Sequence, residues 1–452
     1  MSIRTDLFET APIPKAVLKF SLPMVLGMLV TVIYVVIDTF FVAQTGDPNQ
    51  VAAITICMPI FMLCMALGNL FGVGGASYIS RLLGEKEYEK AKHTSAFAFY
   101  ASAALGLVAT IALLTLMETM LPMIGATERT ETFSRQYLQW IAVGAPFIIL
   151  SYAMGQLARA VGAAKEAMIG MVAGTALNIV LDPIMILILD MGVVGAAIAT
   201  VIANLASVVY FIALIIVKDY GLSIHPRDFT FDRTIVRSTL AIGIPSTLAE
   251  LLMSVSQVVF NFFGARHGEA FLAAFGIANV VIMLPGMIVM GFSRGVQPLI
   301  GYTYAAKLNT RLRAALKFTL CVGTIVAILL TVVVYLFGEF LVLTFMEDSS
   351  VVEQGWYIIK RIAWSMPIFG LLFVPTMVFQ ALGKAKQAMI LSIARQGIVY
   401  LPILLAFNYA FGRDGLIFAF PTADTLSTML GILLFLPILK EIRTLGDSSP
   451  TG

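Results

Sequence analysis

Charge is what this 452-residue chain lacks most. Asp, Glu, Lys and Arg make up only 12% of it, about half the 25% share of a soluble globular domain, and no hydrophilic stretch is long enough to fold by itself. Cysteine and histidine are scarce too, with three of each. Cys57, Cys64 and Cys321 lie within apolar runs, which excludes a disulfide framework and reads them as small core residues. His93, His225 and His267 fall in expected loops, with no HExxH and no His/Cys cluster. A catalytic metal site is therefore not expected. No histidine lies in an apolar run to act as a base, and the phosphate-binding pattern GxxxxGK[ST] is absent. An enzyme and an ATP-driven pump are both disfavoured. The N-terminus carries charge before its first apolar run, without a short apolar stretch and cleavage site, so no cleavable signal peptide is expected. The net charge of +3 is too small to point to nucleic acid or to any other partner.

What is present is apolar: 59% of the residues are hydrophobic and the mean hydropathy is +0.94. The runs bounded by polar turns suggest twelve membrane spans, near 17–43, 51–80, 93–117, 134–157, 166–189, 193–217, 238–264, 271–303, 314–337, 355–381, 387–411 and 415–438. Each is long enough to cross a hydrocarbon core, which takes about 20 helical residues. Basic residues orient them. With a cytoplasmic N-terminus, 21 of the 29 Lys and Arg fall in inner segments and 6 in outer ones. Arg294 and Arg395 sit within spans. Both termini are therefore expected in the cytoplasm of a cell bounded by a bacterial inner (plasma) membrane.

The chain also repeats. Pro23, Phe40, Phe41 and Gly46 recur 222 residues later as Pro245, Phe262, Phe263 and Gly268. The string ARAVGAAKEAMI at 158–169 recurs as FQALGKAKQAMI at 379–390, a shift of 221, and Gly192 and Gly195 recur as Gly412 and Gly415, a shift of 220. Six spans per half is an even number, so both halves insert the same way. The expected fold is an all-α polytopic membrane protein, with twelve transmembrane helices in two six-helix lobes related by a pseudo-twofold axis along the membrane normal. The expected divisions are an N-terminal lobe over 1–217, a cytoplasmic linker over 218–237 and a C-terminal lobe over 238–452. Transport is expected where the lobes meet.

Four spans hold acids: Asp38, Asp182, Glu250 and Asp424. Ionisable groups in hydrocarbon are costly and usually mark an ion or substrate path; the bland alternative for Asp182 is an acid snorkelling to water from a helix end. Asn178 precedes Asp182 by four residues, on the same helix face. Pro183 follows Asp182 and, having no N–H, removes the donor for the Ile179 carbonyl and should kink the helix. Counted from the outer helix ends, Asp38, Asp182 and Thr200 share a depth of roughly 9–11 Å at 1.5 Å per residue, with Asn178 a turn deeper. Two carboxylates close together in low dielectric cannot both ionise comfortably, so such a pair would hold a proton near neutral pH. The same oxygens could instead coordinate Na⁺. In the second half, Glu250 lies near mid-membrane, where it could attract a cationic substrate or pair with Arg294. Asp424 aligns with Asn204 and, by depth, Arg294 and Arg395 are poor partners for it. Arg294, Asp424, Gln257 and Asn279 are, with Glu250, the candidates to line a substrate cavity, although interhelical packing is the commoner use of the amides. The 23 Met and 31 Phe suit a promiscuous apolar cavity.

Five segments together carry a family resemblance: KFSLPMVLGMLVTVIYVVIDTFFVAQTG (19–46), LGNLFGVGGASYISRLLGEK (67–86), QLARAVGAAKEAMIGMVAGTALNIVLDPIMIL (156–187), VVGAAIATVIAN (193–204) and GVQPLIGYTYAA (295–306). In order and spacing the chain resembles the MATE (multidrug and toxic compound extrusion) transporters of the MOP superfamily, in particular their MepA-like branch. The resemblance implies that Asp38, Asn178, Asp182 and Thr200 form the cation site of the N-terminal lobe. The MepA-like branch has Asn where this chain has Asp38, which makes it more like the proton-binding members. Some members bind Na⁺ through acids of the C-terminal lobe. Here Glu250 departs from that spacing, and Phe260 and Phe420 stand at the counterparts of Asp38 and Thr200. The implied function is a monomeric, cation-coupled secondary antiporter, with the proton favoured as coupling ion, that exports organic cations and amphiphilic drugs by alternating access. It needs no cofactor beyond the coupling ion. The alternative is a MOP flippase for lipid-linked precursors or polyanions.

Overall fold

The computed structural model describes residues 5–345 and 349–444. Among them there is no strand. The helices are α1 (Thr5–Glu9), α2 (Ile13–Ala43), α3 (Pro48–Gly84), α4 (Tyr88–Thr115), α5 (Met117–Met123), α6 (Glu131–Ala160), α7 (Ala164–Asp182), α8 (Gly192–Val217), α9 (Arg233–Ala265), α10 (Glu269–Ala305), α11 (Asn309–Phe345), α12 (Ser349–Ile362), α13 (Phe369–Ala381), α14 (Ala385–Ile393) and α15 (Tyr400–Thr444). Eleven stretches of the described residues are long and apolar enough to cross a membrane. The last, Ala385–Ile442, contains two spans, because the helix breaks at Gly412 (φ 56°, ψ −128°). Twelve spans result, each within a few residues of its expected place. The short α5 and the 3₁₀ turn at Ala363–Ile368 around Pro367 leave no hydropathy signal.

The chain forms two compact units, one of Leu26–Thr247 and one of Asp6–Val25 with the chain from Leu248 onward. The divisions fall just after Pro23 in α2 and just after Pro245 in α9, at matching points of the repeat. The backbone repeats as well. Gly192 and Gly412 share a left-handed φ (52° and 56°), as do Lys86 and Lys307 (61° and 56°).

In the first unit α6 is the central helix, packed by α3, α4 and α8. Its close approach to α3 needs residues without side chains: a Cβ on Gly68 would stand 2.7 Å from the Ile149 carbonyl oxygen, and one on Gly72 2.8 Å from Ala153 Cα. The N-terminal part of α9 belongs to this unit, where Thr247 Oγ1 donates to the Ala66 carbonyl at 3.1 Å. The preceding segment docks on α4 rather than running free. Ser95 Oγ donates to Ser223 O at 2.8 Å, Tyr100 Oη to Ile224 O at 2.9 Å and His93 Nδ1 to Asp228 O at 2.7 Å. Phe229 and Phe231 pack on Phe97 and Tyr100. His93 thus lies in the first turns of α4, not in a loop. Asp232 caps α9, accepting from the Thr234 and Ile235 N–H groups at 2.7 and 3.1 Å. Those two donors hold its carboxyl below the ordinary value, since they favour the charged form.

In the second unit α10, α11 and α13 surround a core that includes Phe260, Phe271, Phe275, Met366 and Phe369. Phe8 of α1 is fully buried between Phe20 and Tyr302, and Arg311 Nη2 donates to the Leu7 carbonyl at 3.0 Å. Cys57 and Cys64 are core residues as expected, but Cys321 is exposed on α11. A GxSxG string, at 291–295, runs inside helix α10, where Ser293 Oγ donates to the Val289 carbonyl at 2.9 Å. That is a satisfied helical serine and not the strand–turn–helix nucleophile of a hydrolase.

Candidate functional site

Of the N-terminal candidates, Asp38, Asn178 and Asp182 come together within the first unit, and Thr200 is buried on the helix packed beside them. Asp182 is fully buried, Asn178 is 1% exposed, Thr200 2% and Asp38 4%. The i,i+4 spacing on α7 does what helical geometry dictates: Asn178 Nδ2 donates to Asp182 Oδ1 at 3.1 Å. Asp38 reaches the group from α2 and lies within electrostatic range of Asp182. Further along these helices, Gly27 of α2 faces Met171 of α7. Thr200 sits on α8, which packs along both α7 and α6.

Pro183 ends the α-helix immediately after Asp182. From Pro183 to Ile188 the backbone widens into a π-helical turn, closed by Leu189 N–H on the Ile184 carbonyl at 2.9 Å. A residue without an N–H breaks the i→i−4 ladder, and a π turn is one way a helix absorbs that break. Gly195 of α8 packs against the backbone of Met185 in this turn.

Three oxygens of the group, Asp38 Oδ1, Asn178 Oδ1 and Asp182 Oδ2, are buried without a hydrogen-bond partner among the described residues. Each such atom costs free energy in an apolar bundle. Protonation of a carboxyl, or a small cation among the oxygens, would lower that cost.

Two supporting residues follow from the same helical spacing. Asn204, one turn beyond Thr200, donates from Nδ2 to the Thr200 carbonyl at 2.9 Å and accepts from Ser151 Oγ of α6 at 2.7 Å. These bonds tie the Thr200 backbone to the central helix. An i,i+4 inspection of 200 and 204 would have found the first of them.

The second-unit candidates do not form one cluster. Arg294 Nη2 stands 3.7 Å from Glu250 Oε1. Gln257 Nε2 donates to Asn261 Oδ1 at 3.0 Å along α9. Asn279 is half-buried on α10. Asp424 corrects the depth argument: Arg395, judged a poor partner, donates from Nε to Asp424 Oδ1 at 3.0 Å. The spans holding them run longer than their apolar cores. Arg395 lies about 15 Å along its span from Ala385 and Asp424 about 18 Å from the break at Gly412, at 1.5 Å per residue. The two therefore meet near the middle.

The chain is similar to known proteins over nearly its whole length. The MatE family profile matches residues 23–184 and 245–405, once per repeat. The multidrug export protein MepA of Staphylococcus aureus is 35% identical over 441 residues, covering 98% of this chain and 97% of its own. The MepA of Staphylococcus haemolyticus is 36% identical over 428 residues, 94% of each chain. Among solved structures, a multidrug-resistance MATE transporter of the MOP superfamily in its outward-facing conformation superposes with a TM-score of 0.91 at 25% identity, covering 97% of this chain and 98% of that one. A MOP transporter from Pyrococcus furiosus, described as having a pocket of reversed polarity that suggests a different function, gives a TM-score of 0.90 at 26% identity over 97% and 98%.

Proposed function

The chain belongs to the MatE family of multidrug efflux transporters, membrane proteins and not enzymes, and on that premise we propose that it is a proton-coupled antiporter exporting organic cations and amphiphilic drugs. The observation that carries the coupling is the buried group of Asp38, Asn178, Asp182 and Thr200 with its three unpartnered oxygens. With both carboxyls ionised, the pair repels itself in low dielectric. One proton removes that repulsion and supplies a donor. Asn178 holds one Asp182 oxygen in place, and Asn204 and Ser151 hold the Thr200 turn. Protonation then favours one conformation of the transporter and drug binding another, so that the two ligands exchange across one cycle. Na⁺ is the competing coupling ion.

In the second unit, Glu250, Gln257, Asn279 and Arg294 are the residues we assign to substrate contact. The polyanion alternative expects basic side chains without acid partners; Arg294 and Arg395 each have one, which supports export of cations and amphiphiles. The excess of Lys and Arg in the segments assigned to the inner side supports cytoplasmic termini in the plasma membrane, and a monomer suffices for the cycle. The deciding experiment is substrate efflux from proteoliposomes under an imposed ΔpH or an imposed Na⁺ gradient, each alone. Efflux should follow ΔpH and collapse with a protonophore. Efflux that tracks the Na⁺ gradient and survives the protonophore overturns the proton assignment.

A further inference from the structure

The repeat pairs α7 and α8 of the first unit with the corresponding helices of the second, and the packing at one level differs sharply. In the first unit the two helices meet through small residues. Ser207 Oγ donates to the Gly170 carbonyl at 3.1 Å, and a Cβ on Gly174 would lie 3.0 Å from the Ala203 carbonyl oxygen. The repeat places Leu391 and Arg395 at Gly170 and Gly174, and Ala423, Asp424 and Ser427 at Ala203, Asn204 and Ser207. Both contact glycines have become large. The second-unit helix opens into a π turn at Ala394–Ile398, and Ser427 Oγ, unlike its counterpart, is buried without a partner among the described residues. The Tyr400 hydroxyl, near Asp424, is buried and unpartnered likewise.

The Arg395 guanidinium fills the space so made. Besides its 3.0 Å bond to Asp424, it lies 4.7 Å from the centre of the Phe373 ring. A carboxylate below and an aromatic face beside it make a cradle for a planar, delocalised cation. The acid and the base stand at paired positions, and either one alone would be an uncompensated buried charge. The Arg395 side chain keeps 26% of its surface exposed against 9% for Asp424, so the cradle opens on the arginine side.

We infer that Arg395 is a tethered cation: it permanently occupies a guanidinium-type cation site built from Asp424 and Phe373, and so keeps that site from exchanging cations. The first unit's acids exchange theirs, and that half of the inference rests on the function proposed above. Here the cation is covalently held and cannot leave. Removing the arginine side chain should therefore create a site for a free cation of the same class.

The test uses the full-length protein. R395A should lose most drug efflux in proteoliposomes and recover it, saturably, on adding ethylguanidinium chloride but not equal NaCl. Purified R395A should also gain thermal stability with ethylguanidinium, a readout independent of any gradient or coupling ion. R395A/D424N should transport without ethylguanidinium and ignore it. Wild-type efflux by R395A without additive overturns the inference, as does a folded R395A that neither ethylguanidinium nor D424N restores. Should R395A fail to fold, D424N and the double variant decide. D424N alone leaves a half-buried arginine without its acid and should be the less stable of the two; equal stability overturns the inference. A wild type driven by Na⁺ would defeat the proton reading while leaving the ethylguanidinium thermal shift to decide this one.

Discussion

Where the first unit buries Asp38 and Thr200, the second has Phe260, fully buried, and Phe420, half-buried against the same core. Phe260 stacks on Phe275 at 3.8 Å between ring centres, Phe275 lies 6.3 Å from Phe420, and Tyr400 lies 4.8 Å from Phe420. Such ring pairs contribute about 0.5–1.5 kcal/mol each beyond their burial, while the polar set opposite carries oxygens without donors. The scaffold around both is shared, down to the left-handed turns at Gly192 and Gly412 and the prolines Pro23 and Pro245. Those glycines and prolines recur in both repeats, whereas the polar side chains of Asp38 and Thr200 give way to Phe260 and Phe420. At this level one unit buries carboxyls and the other packs aromatic rings.

The largest expected effect tests the first half of that contrast. Asp182→Asn keeps the size of the side chain and its bonding capacity to Asn178 but cannot take up and release a proton. It should reduce active efflux to background while the protein stays folded and in the membrane, as read by proteoliposome transport beside size-exclusion profiles. Asp38→Asn should depress proton-driven efflux in the same assay. Wild-type efflux by Asp182→Asn would return Asp182 to an acid without a transport role.

The second test carries the acid across. Phe260→Asp places a carboxyl among Phe275, Tyr400 and Phe420 and removes a ring from a closed core; large-to-small core changes of this kind cost about 3–5 kcal/mol, and the unpaired acid adds to that. The variant should melt far below wild type in detergent, whereas Asp38→Asn should melt near it. A stable Phe260→Asp would mean that the aromatic cluster does not distinguish the units.

Much of this contrast was readable before any coordinates. The i,i+4 relation of Asn178 and Asp182 needs only the helical period, and Asp38 and Thr200 joined them by counting residues from helix ends. The same counting failed for Arg395 and Asp424, because it started from apolar boundaries that stop short of the helices and took no account of the break at Gly412 or the π turn at Ala394–Ile398. Nor does local sequence say that residues Asp6–Val25 join the second unit and the chain up to Thr247 the first. Hydropathy records that a helix is buried in apolar surroundings and is silent about which neighbours bury it. Only Pro23 and Pro245 hinted at where those helices change company.

A third, smaller effect is expected where the helices touch. Gly174→Leu inserts a side chain against Ala203 and Ser207, where even a Cβ is crowded. Overpacking costs about 1–3 kcal/mol, so the melting temperature should fall and efflux with it. One turn away in the second unit, Leu391→Ile at the counterpart of Gly170 conserves volume at a position already adapted to a large residue and should cost less than about 1.5 kcal/mol. Equal losses would show that the glycine contact is not what sets the first pair's spacing.

The smallest difference expected lies at the far end of the same helices. In the first unit the Tyr220 hydroxyl donates to Glu166 Oε1 at 3.0 Å, with Lys218 Nζ 3.7 Å from that oxygen. In the second unit Gln387 stands at the counterpart of Glu166, and the fastening is instead a pair of Lys384 with Glu441 at 3.2 Å. Tyr220 and Glu166 are buried, whereas the Lys384–Glu441 pair is partly exposed to solvent. Tyr220→Phe should therefore lower stability by about 1–3 kcal/mol, the range for a buried hydrogen bond to a charged group, and Glu441→Gln by under about 1 kcal/mol. Alkaline pH separates the two further. Burial first, and then the bond to Glu166, push the Tyr220 phenol above its ordinary value of 10.0, because both disfavour its ionised form. The unfolded chain then loses this proton before the folded one does. Stability contributed by Tyr220 is fully present below its unfolded value and declines as pH rises through the folded one. In thermal melts the gap between wild type and Tyr220→Phe should stay constant through neutral pH and close above about pH 10, while the small effect of Glu441→Gln shows no change over that range. A gap that persists undiminished at high pH would mean that the Tyr220 ring, rather than its hydroxyl, fastens the first unit's helix ends.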